Sequence, residues 1–403
     1  MPLPDLLERA RQAVRAHGLP GWLMYDFLGI NPLVKMLLEI PEQAHLSRRF
    51  FIWIPADGEP CILHNVIEGG TWEQLAAGTR RIGFAGGEQL RAGLRQLLAG
   101  VSEVAMEYSP LGEVPYVSRV DAGTVELLRS LGVEPVSSAE LIQDLLVWNE
   151  SDLQAHLAAA EALAEGLRSS LSWAHRQLAE GLQVSEAALQ GVLTARIRES
   201  GMTEGHPPIV AFGAHAADPH YSGAAGAALE LGQCVLIDLW CCVPGQVQAD
   251  MTWMAVWGPA SPRLQQIWEL VAEVRDAAIS RIEQEGSALQ GWQLDRQARD
   301  RFAATGLEQA FTHRLGHNLH RDVHGPGANL DDLEAHDLRK LHPRLAYTVE
   351  PGLYLPEEGV GVRSEVDVYM DPAGPRVTTR RQRRLIDLAA AGWEGELVEA
   401  GLG

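Results

Sequence analysis

Four histidines, His313, His317, His320 and His324, fall within twelve residues in the run Thr-His-Arg-Leu-Gly-His-Asn-Leu-His-Arg-Asp-Val-His that begins at Thr312. Imidazoles this close together can ligate a metal or move protons near neutral pH. Surface histidines, or hydrogen-bonded ones in a core, would give the same run. Four carboxylates strengthen the chemical reading, because they stand where exposure to solvent is not the easy explanation. Asp238 follows the apolar run Cys-Val-Leu-Ile, and Asp250 opens a strand-like run after the turn at Pro244-Gly245. Glu350 ends Leu-Ala-Tyr-Thr-Val-Glu just before Pro351-Gly352, and Glu365 lies inside the β-like stretch Gly-Val-Arg-Ser-Glu-Val-Asp-Val that starts at Gly361. A hairpin turning at Pro244-Gly245 would set Asp238 and Asp250 side by side. Each acid alone also reads as a salt-bridged or solvated side chain. Gathered around one histidine, the four would raise one another's pKa and destabilise the fold unless cations were present. Oxygen ligands with one imidazole suit Mn2+, Zn2+, Co2+ or Fe2+ better than a thiolate site would. Two such ions sharing carboxylates would sit roughly 3.5 to 4 Å apart, activate a water and polarise a carbonyl oxygen.

Elements must bring these residues together across a chain of 403 residues, which is longer than one hydrophobic core usually grows, so two domains are expected. Up to about residue 138, helical periodicity alternates with short apolar runs, the pattern of an α/β domain. Helices are predicted over residues 6–16 and 90–98, ended by Gly18 and Gly100, and strands over 21–25, 50–55, 61–66, 81–84 and 103–107. The composition shifts at Val147-Trp-Asn-Glu-Ser-Asp, where Asn149 or Ser151 could cap a long helix reaching past Ala164. Further helices are predicted over 185–200, 261–284 and 293–304, with strands over 234–239, 248–256, 346–355 and 360–370. Blocks of helices and antiparallel-looking strands argue for an α+β second half. The tail after Arg384 is expected to pack on the surface.

With 33 basic and 53 acidic residues the formal charge is −20, which repels nucleic-acid backbones and anionic membrane surfaces. Hydrophobic residues make up 46% of the chain, yet no stretch approaches a membrane span and the N-terminal residues lack an export pattern. A cytoplasmic protein with neither nucleic acid nor membrane as partner is expected. Cys61, Cys234, Cys241 and Cys242 form no CxxC pair and are expected to be reduced packing residues. Gly83-Phe-Ala-Gly86-Gly87 lacks the spacing and the lysine of a phosphate loop.

Taken in order, Asp238, Ala249-Asp250-Met-Thr252, His313-Arg-Leu-Gly-His317 continuing to Asp322-Val-His324, Thr348-Val-Glu350-Pro-Gly-Leu-Tyr and Gly361-Val-Arg363-Ser-Glu365 resemble the prolidase and aminopeptidase P branch of the pita-bread metallopeptidases. That family also includes methionine aminopeptidase and creatinase. Ala298-Arg-Asp300 resembles family sequence too. The resemblance implies an α+β pita-bread (creatinase/aminopeptidase) catalytic domain over residues 149–403, preceded by a smaller α/β creatinase-like N-terminal domain over 1–148. It implies two divalent metal ions, Mn2+ or Zn2+ with Co2+ as a further candidate: Asp238 on one, His317 and Glu350 on the other, and Asp250 and Glu365 bridging both. Glu350 would also carry the proton from water to the leaving nitrogen, and His220 (in Asp-Pro-His-Tyr) and His324 would contact substrate and steady the oxyanion. His313 matches a pocket-lining position. Spacing alone reads His313 and His317 as an i,i+4 helical pair, whereas the resemblance puts them on non-helical backbone with only His317 ligating. Arg363, two residues before Glu365, reads as a cation on the same strand face that orients that carboxylate.

The implied reaction is hydrolysis of the Xaa-Pro bond at the N-terminus of short proline-containing peptides, with a dipeptidase favoured over an aminopeptidase P acting on longer peptides. A non-catalytic pita-bread binding module, in which metal residues erode, is the alternative of a different class. A homodimer is implied as well. Proline explains the need for such an enzyme, since its missing N–H and fixed φ defeat peptidases that grip substrate as an extended strand. The sequence departs from the family pattern in two places. Asn318-Leu-His320 follows His317 where relatives carry small glycine-rich residues, which would alter the pocket wall. Gly-Pro-Gly-Ala328-Asn follows His324 without the arginine that many prolidases use to hold a dipeptide's carboxylate. Arg48 or Arg49 of the first domain is expected to take that role, although two surface arginines would read the same.

Overall fold

The computed structural model of the protein describes residues 3–41, 44, 46–75, 79–221 and 226–395, and the chain divides into two compact units, Met1–Leu146 and Val147–Gly403. The division falls at the start of the composition shift, two residues ahead of the expected boundary between 148 and 149. Trp148 explains this, because its N–H donates to Arg344 O at 3.0 Å and its ring stacks on Tyr369, so it is built into the second unit.

The first unit is built on a six-stranded mixed sheet of β1 (Gly21–Asp26), β2 (Phe50–Pro55), β3 (Cys61–Asn65), β4 (Arg80–Phe84), β5 (Glu103–Met106) and β6 (Glu134–Ser137), ordered β4-β3-β2-β1-β5-β6. The β1/β2 and β2/β3 pairs are antiparallel, and the β3/β4, β1/β5 and β5/β6 pairs are parallel. β1 and β2 are buried along their whole length, which is why they read as uninterrupted apolar runs. The edge strand β6 contains Pro135, a residue that normally argues against a strand, and sequence patterning missed it. Helices α1 (Leu3–Ala16), α2 (Pro32–Leu38), α3 (Gly69–Leu75), α4 (Gly87–Leu97), α5 (Ala122–Ser130) and α6 (Ala139–Leu146) complete the unit.

Just after β5, Glu107 is fully buried, taking hydrogen bonds from Trp22 Nε1 and Asn31 Nδ2. Burial pushes its carboxyl up from 4.5 to about 7 despite those donors. Its contribution to stability is therefore complete below about pH 4.5 and lost as pH rises through about 7, a change on the order of 3 kcal/mol. Between pH 5 and 8, Glu107→Gln is expected to show a shallower decline in melting temperature than the unaltered protein. Differential scanning calorimetry across that range checks this, and parallel declines would contradict it.

The second unit begins with α7 (Glu150–Ala179), which is launched by a capping box in which Asn149 Oδ1 accepts from Asp152 N and Asp152 Oδ2 accepts from Asn149 N. α8 (Glu186–Glu199) is capped by Ser185, and α9 (Pro262–Glu285) and α10 (Gly291–Ala303) follow. Strands β7 (Ile209–Phe212), β8 (Cys234–Cys242), β9 (Gln248–Val256) and β16 (Ile386–Asp387) form one sheet, ordered β16-β9-β8-β7. Residues of α7 and α8 such as Leu163, Leu167 and Leu193 share a core with Val235, Ile237 and Met251 of this sheet. The tail after Arg384 corrects the surface expectation. β16 pairs parallel with β9, and Ile386 and Leu388 are buried. Residues 396–403 of that tail lie outside the described residues. All four cysteines are free and buried. Among the described residues no helix is long and apolar enough to cross a membrane.

β10 (Asn318–Leu319), β11 (Ala346–Val349), β14 (Val366–Tyr369) and β15 (Arg376–Val377) form a second sheet, and β12 (Gly352–Leu355) pairs with β13 (Val360–Arg363) in a third. The strands expected over 346–355 and 360–370 are therefore each broken. Val349 pairs with Val366 and Gly352 with Arg363, so the gaps at Glu350-Pro351 and Ser364-Glu365 lie opposite each other. Pro351 has no N–H to give the ladder. Glu365 N leaves it to donate to Thr252 O at 3.2 Å.

Candidate metal centre

β8 and β9 bring the first two acids together. Asp238 stands opposite Thr252, and Asp250 opposite Trp240, so the acids share a face as diagonal rather than directly opposed neighbours. The paired gaps supply Glu350 and Glu365. His317 comes from the segment after α10, which is clamped by a buried Asp295–Arg299 pair. Asp295 Oδ1 accepts from Leu315 N, and Arg299 donates to the carbonyls of Phe311 and His313. This segment is not helical, so the i,i+4 reading of His313 and His317 fails. Gly316 is required here, because a Cβ would lie 2.0 Å from Thr348 O. Its neighbour His317 N takes Thr348 Oγ1 as acceptor at 3.0 Å.

The five side chains converge. Ligand atoms of Asp250, His317 and Glu365 lie within 4.8 Å of one another, and all three residues are buried. His317 Nε2 is 3.3 Å from Glu350 Oε1 and 3.9 Å from Asp250 Oδ2. His317 Nδ1 faces the Asn318 carbonyl at 3.3 Å, which fixes Nδ1 as the protonated nitrogen and leaves Nε2 for a cation. Asp238 is held by Arg363. Burial, then the charge of Asp238, pushes Asp250 well above the usual carboxylate range, and burial, then Asp250, does the same to Glu365. Burial raises Glu350 to about 7, with Arg363 pulling the other way. Burial, then His324, drives His317 well below its ordinary value.

Asp250, Glu365 and the neutral His317 imidazole, with Glu350 beside His317 and Asp238 near enough for its charge to act on Asp250, form a donor set for a divalent cation. A buried oxygen, Asp250 Oδ1, has no hydrogen-bond partner among the described residues, which fits a ligand atom awaiting such an ion.

Arg363 corrects one expectation. It contacts Asp238 rather than Glu365, and its Nε donates to Thr252 Oγ1 at 3.1 Å, which in turn donates to Glu365 Oε2 at 2.7 Å. Strand β13 ends at Arg363, so the shared-face reasoning breaks down at the gap. Burial works against the guanidinium's charge, and Tyr354, Asp238, Glu350 and Glu365 more than reverse that. Arg363 also donates to Tyr354 Oη at 2.9 Å, which lies 2.9 Å from His313 Nε2. His313 Nδ1 faces Arg314 O at 2.7 Å, so both ring nitrogens are engaged away from any cation. His324 is exposed, yet its ring meets that of His317 edge-on at 4.4 Å, and desolvation, then Arg314, lowers it to about 4. His220 is exposed, and its charge also opposes protonation of His324. Arg48 and Arg49 belong to the first unit. Asn318 is buried, and its Oδ1 accepts from Gly327 N at 3.0 Å in the loop after His324.

Sequence reasoning gave no role to Thr252, Thr348, Tyr354, Asp295 or Asp367. Thr252, Thr348 and Tyr354 all stand inside the motifs that carried the resemblance, which was the available signal. Asp367 is buried, and its Oδ2 accepts from Asp250 N at 2.9 Å, fixing the backbone of that acid from behind.

Metallopeptidase family M24 matches residues 154–372, more than half of the chain, and the chain belongs to that family. YqhT of Bacillus subtilis, an uncharacterized peptidase, is 31% identical over 207 residues, covering 51% of this chain and 56% of YqhT. SH1217 of Staphylococcus haemolyticus, also an uncharacterized peptidase, is 30% identical over 263 residues, covering 63% of this chain and 69% of its own. The first of these matches thus spans little more than half of the relative. The crystal structure of the dipeptidase PepE from Mycobacterium ulcerans superposes with a TM-score of 0.72 at 23% identity, covering 96% of this chain and 98% of that one. The Xaa-Pro dipeptidase from Bacillus anthracis gives 0.65 at 22% identity, covering 96% and 100%. The fold is the pita-bread fold preceded by a smaller N-terminal domain.

Proposed function

We propose that this protein is an Xaa-Pro dipeptidase that removes the N-terminal residue before proline from short peptides with two divalent cations, Mn2+ or Zn2+ with Co2+ as a third candidate. The convergence of Asp238, Asp250, His317, Glu350 and Glu365 carries this reading. When bound, the cations would lower the pKa of a water and polarise the scissile carbonyl. Asp238 would serve one cation, His317 and Glu350 the other, and Asp250 and Glu365 both, while Arg363, Thr252 and Asp367 hold the acids in place. Glu350, held by Thr348 Oγ1 at 3.2 Å, carries the proton from the attacking water to the proline nitrogen. The free amine of the substrate docks against the surrounding carboxylates. His324 and His220 steady the developing oxyanion, His313 lines the pocket through Tyr354, and Arg48 or Arg49 takes the carboxylate of a dipeptide. A cytoplasmic homodimer belongs to the same proposal.

The test compares Xaa-Pro dipeptides with Xaa-Pro-Xaa tripeptides under added Mn2+, Zn2+ and Co2+. Faster dipeptide hydrolysis is expected, and cleavage of tripeptides alone, or of neither, would overturn the reading. His324→Ala is expected to keep its metal content while kcat drops by about 10²-fold, the scale of one lost oxyanion donor. Loss of metal in that variant would make His324 a ligand instead. Charge reversal at Arg48 and Arg49 is expected to slow dipeptide cleavage by about tenfold or more and to spare tripeptides. Equal losses on both substrates would remove the arginines from this role.

A further inference from the structure

The first unit holds a cavity of about 560 Å3 lined in part by Tyr25, Arg48, Arg49, Asn65 and Asp121. Its position follows from the topology. β1, β3 and β4 run in the same direction and end at Asp26, Asn65 and Phe84, so the cavity lies beyond their carboxyl ends, where open α/β sheets receive ligands. Buried Glu68 presents the cations, since its Oε1 accepts from Ser47 N at 2.7 Å and Arg48 N at 3.1 Å and so fixes the backbone that carries both arginines. Arg48 NH1 rests on Ser47 O and Oγ, and among the described residues Arg49 has no hydrogen-bond or ion-pair partner. Among the described residues neither guanidinium forms an ion pair, although the chain carries a net charge of −20. α4 begins in the lining at Gly86-Gly87 with no side-chain cap, which adds the positive end of its dipole.

The same lining limits what can bind. Asp121, committed to Thr124 N and Oγ1 at the start of α5, offsets one of the two positive charges and disfavours a polyanion. Planar guanidinium groups match a carboxylate with two parallel hydrogen bonds. The rim is apolar. Phe27 and Ile30 line the cavity while 41% and 52% exposed, and Leu28, Val66 and Ile67 are exposed on the same two loops, after β1 and after β3. Large apolar side chains left in water at a cavity mouth mark a binding surface.

We infer that this cavity is a receptor for a monoanionic carboxylate with an apolar body, the chemistry of a peptide C-terminus whose last residue is apolar. The inference shares its arginines with the dipeptide role proposed above and rests on that reading for the identity of its ligand, but binding is measured without turnover. The probe is N-acetyl-L-leucine, with N-acetyl-L-leucinamide as the neutral control, titrated calorimetrically into the full-length protein. The acid is expected to bind. The amide, and the acid on an Arg48→Ala, Arg49→Ala double variant, are expected to bind about tenfold more weakly or worse. His317→Ala is expected to bind the acid within about twofold of the unaltered protein, because the receptor does not use the metal centre. In the unaltered protein, the acid should also slow phenylglyoxal modification of Arg48 and Arg49, read by peptide mapping, whereas the amide should not. Equal binding of acid and amide, undiminished binding in the double variant, loss of binding in His317→Ala, or unslowed modification would each overturn the inference. Binding that follows the arginines while charge reversal leaves dipeptide turnover untouched would keep the receptor and remove the turnover role.

Discussion

Asp250→Ala is expected to lower kcat/KM below about one-thousandth of the unaltered value and to lose most of the bound metal. Asp250 is buried between Asp238 and Glu365, it lies with His317 and Glu365 inside a 4.8 Å cluster, and one of its oxygens has no protein partner among the described residues. Its removal takes away a ligand that the proposal places on both cations. A loss of several kcal/mol of transition-state stabilisation corresponds to at least about 10³ in rate. His317→Ala should behave alike, because its Nε2 is presented to the cluster, 3.3 Å from Glu350 and 3.9 Å from Asp250. Metal content by mass spectrometry, read beside the kinetics, is the check. Near-native activity, or full metal content in both variants, would show that the cluster is not the working site.

Metal removal is expected to leave a protein whose stability falls as pH rises above about 6.5. Without cations, Asp250, Glu350 and Glu365 are all raised above their unfolded values, Glu350 to about 7, so the folded chain holds protons that the unfolded chain has released. Such groups stabilise at low pH, and the contribution disappears as pH passes through the folded pKa. His156, His313, His317 and His324 are shifted the other way, which offsets the acids below the ordinary histidine value of 6.5 and leaves the window above it to the acids. Each extra proton on the folded chain contributes a slope of roughly 1.4 kcal/mol per pH unit. Bound cations take the place of those protons. The gap in melting temperature between the metal-loaded and chelated protein should therefore widen from pH 6.5 to pH 8. Scanning calorimetry in matched buffers decides it, and a constant gap would count against the clustered acids.

How much of this was legible in the sequence depended on the range over which each signal acts. The metal-centre acids could be picked out one by one, because a carboxylate inside an apolar run, as at Asp238, is costly unless something positive meets it. The capping box at Asn149 and the glycines after helices are local chemistry and read directly. The strand breaks were legible only in part. Pro351-Gly352 is a local signal of the break within 346–355, whereas in 360–370 only the partner strands reveal that pairing stops at Ser364-Glu365. The misreading of Arg363 has the same origin, since alternation along a strand says nothing once the strand ends. Leu388, buried in the core beside β16, could not be told from a surface tail without knowing that β9 leaves an edge open to it.

The facing gaps have one more consequence. Pairing is set independently on either side of them, by Val349 with Val366 on one flank and Gly352 with Arg363 on the other. Glu350 and Glu365 therefore keep their mutual alignment from two separate anchors, and the tip of the hairpin at 356–359 is insulated from them. Changes in the length of that tip should be tolerated by the metal-centre geometry, which makes it the natural place on this unit to attach a tag or a reporter.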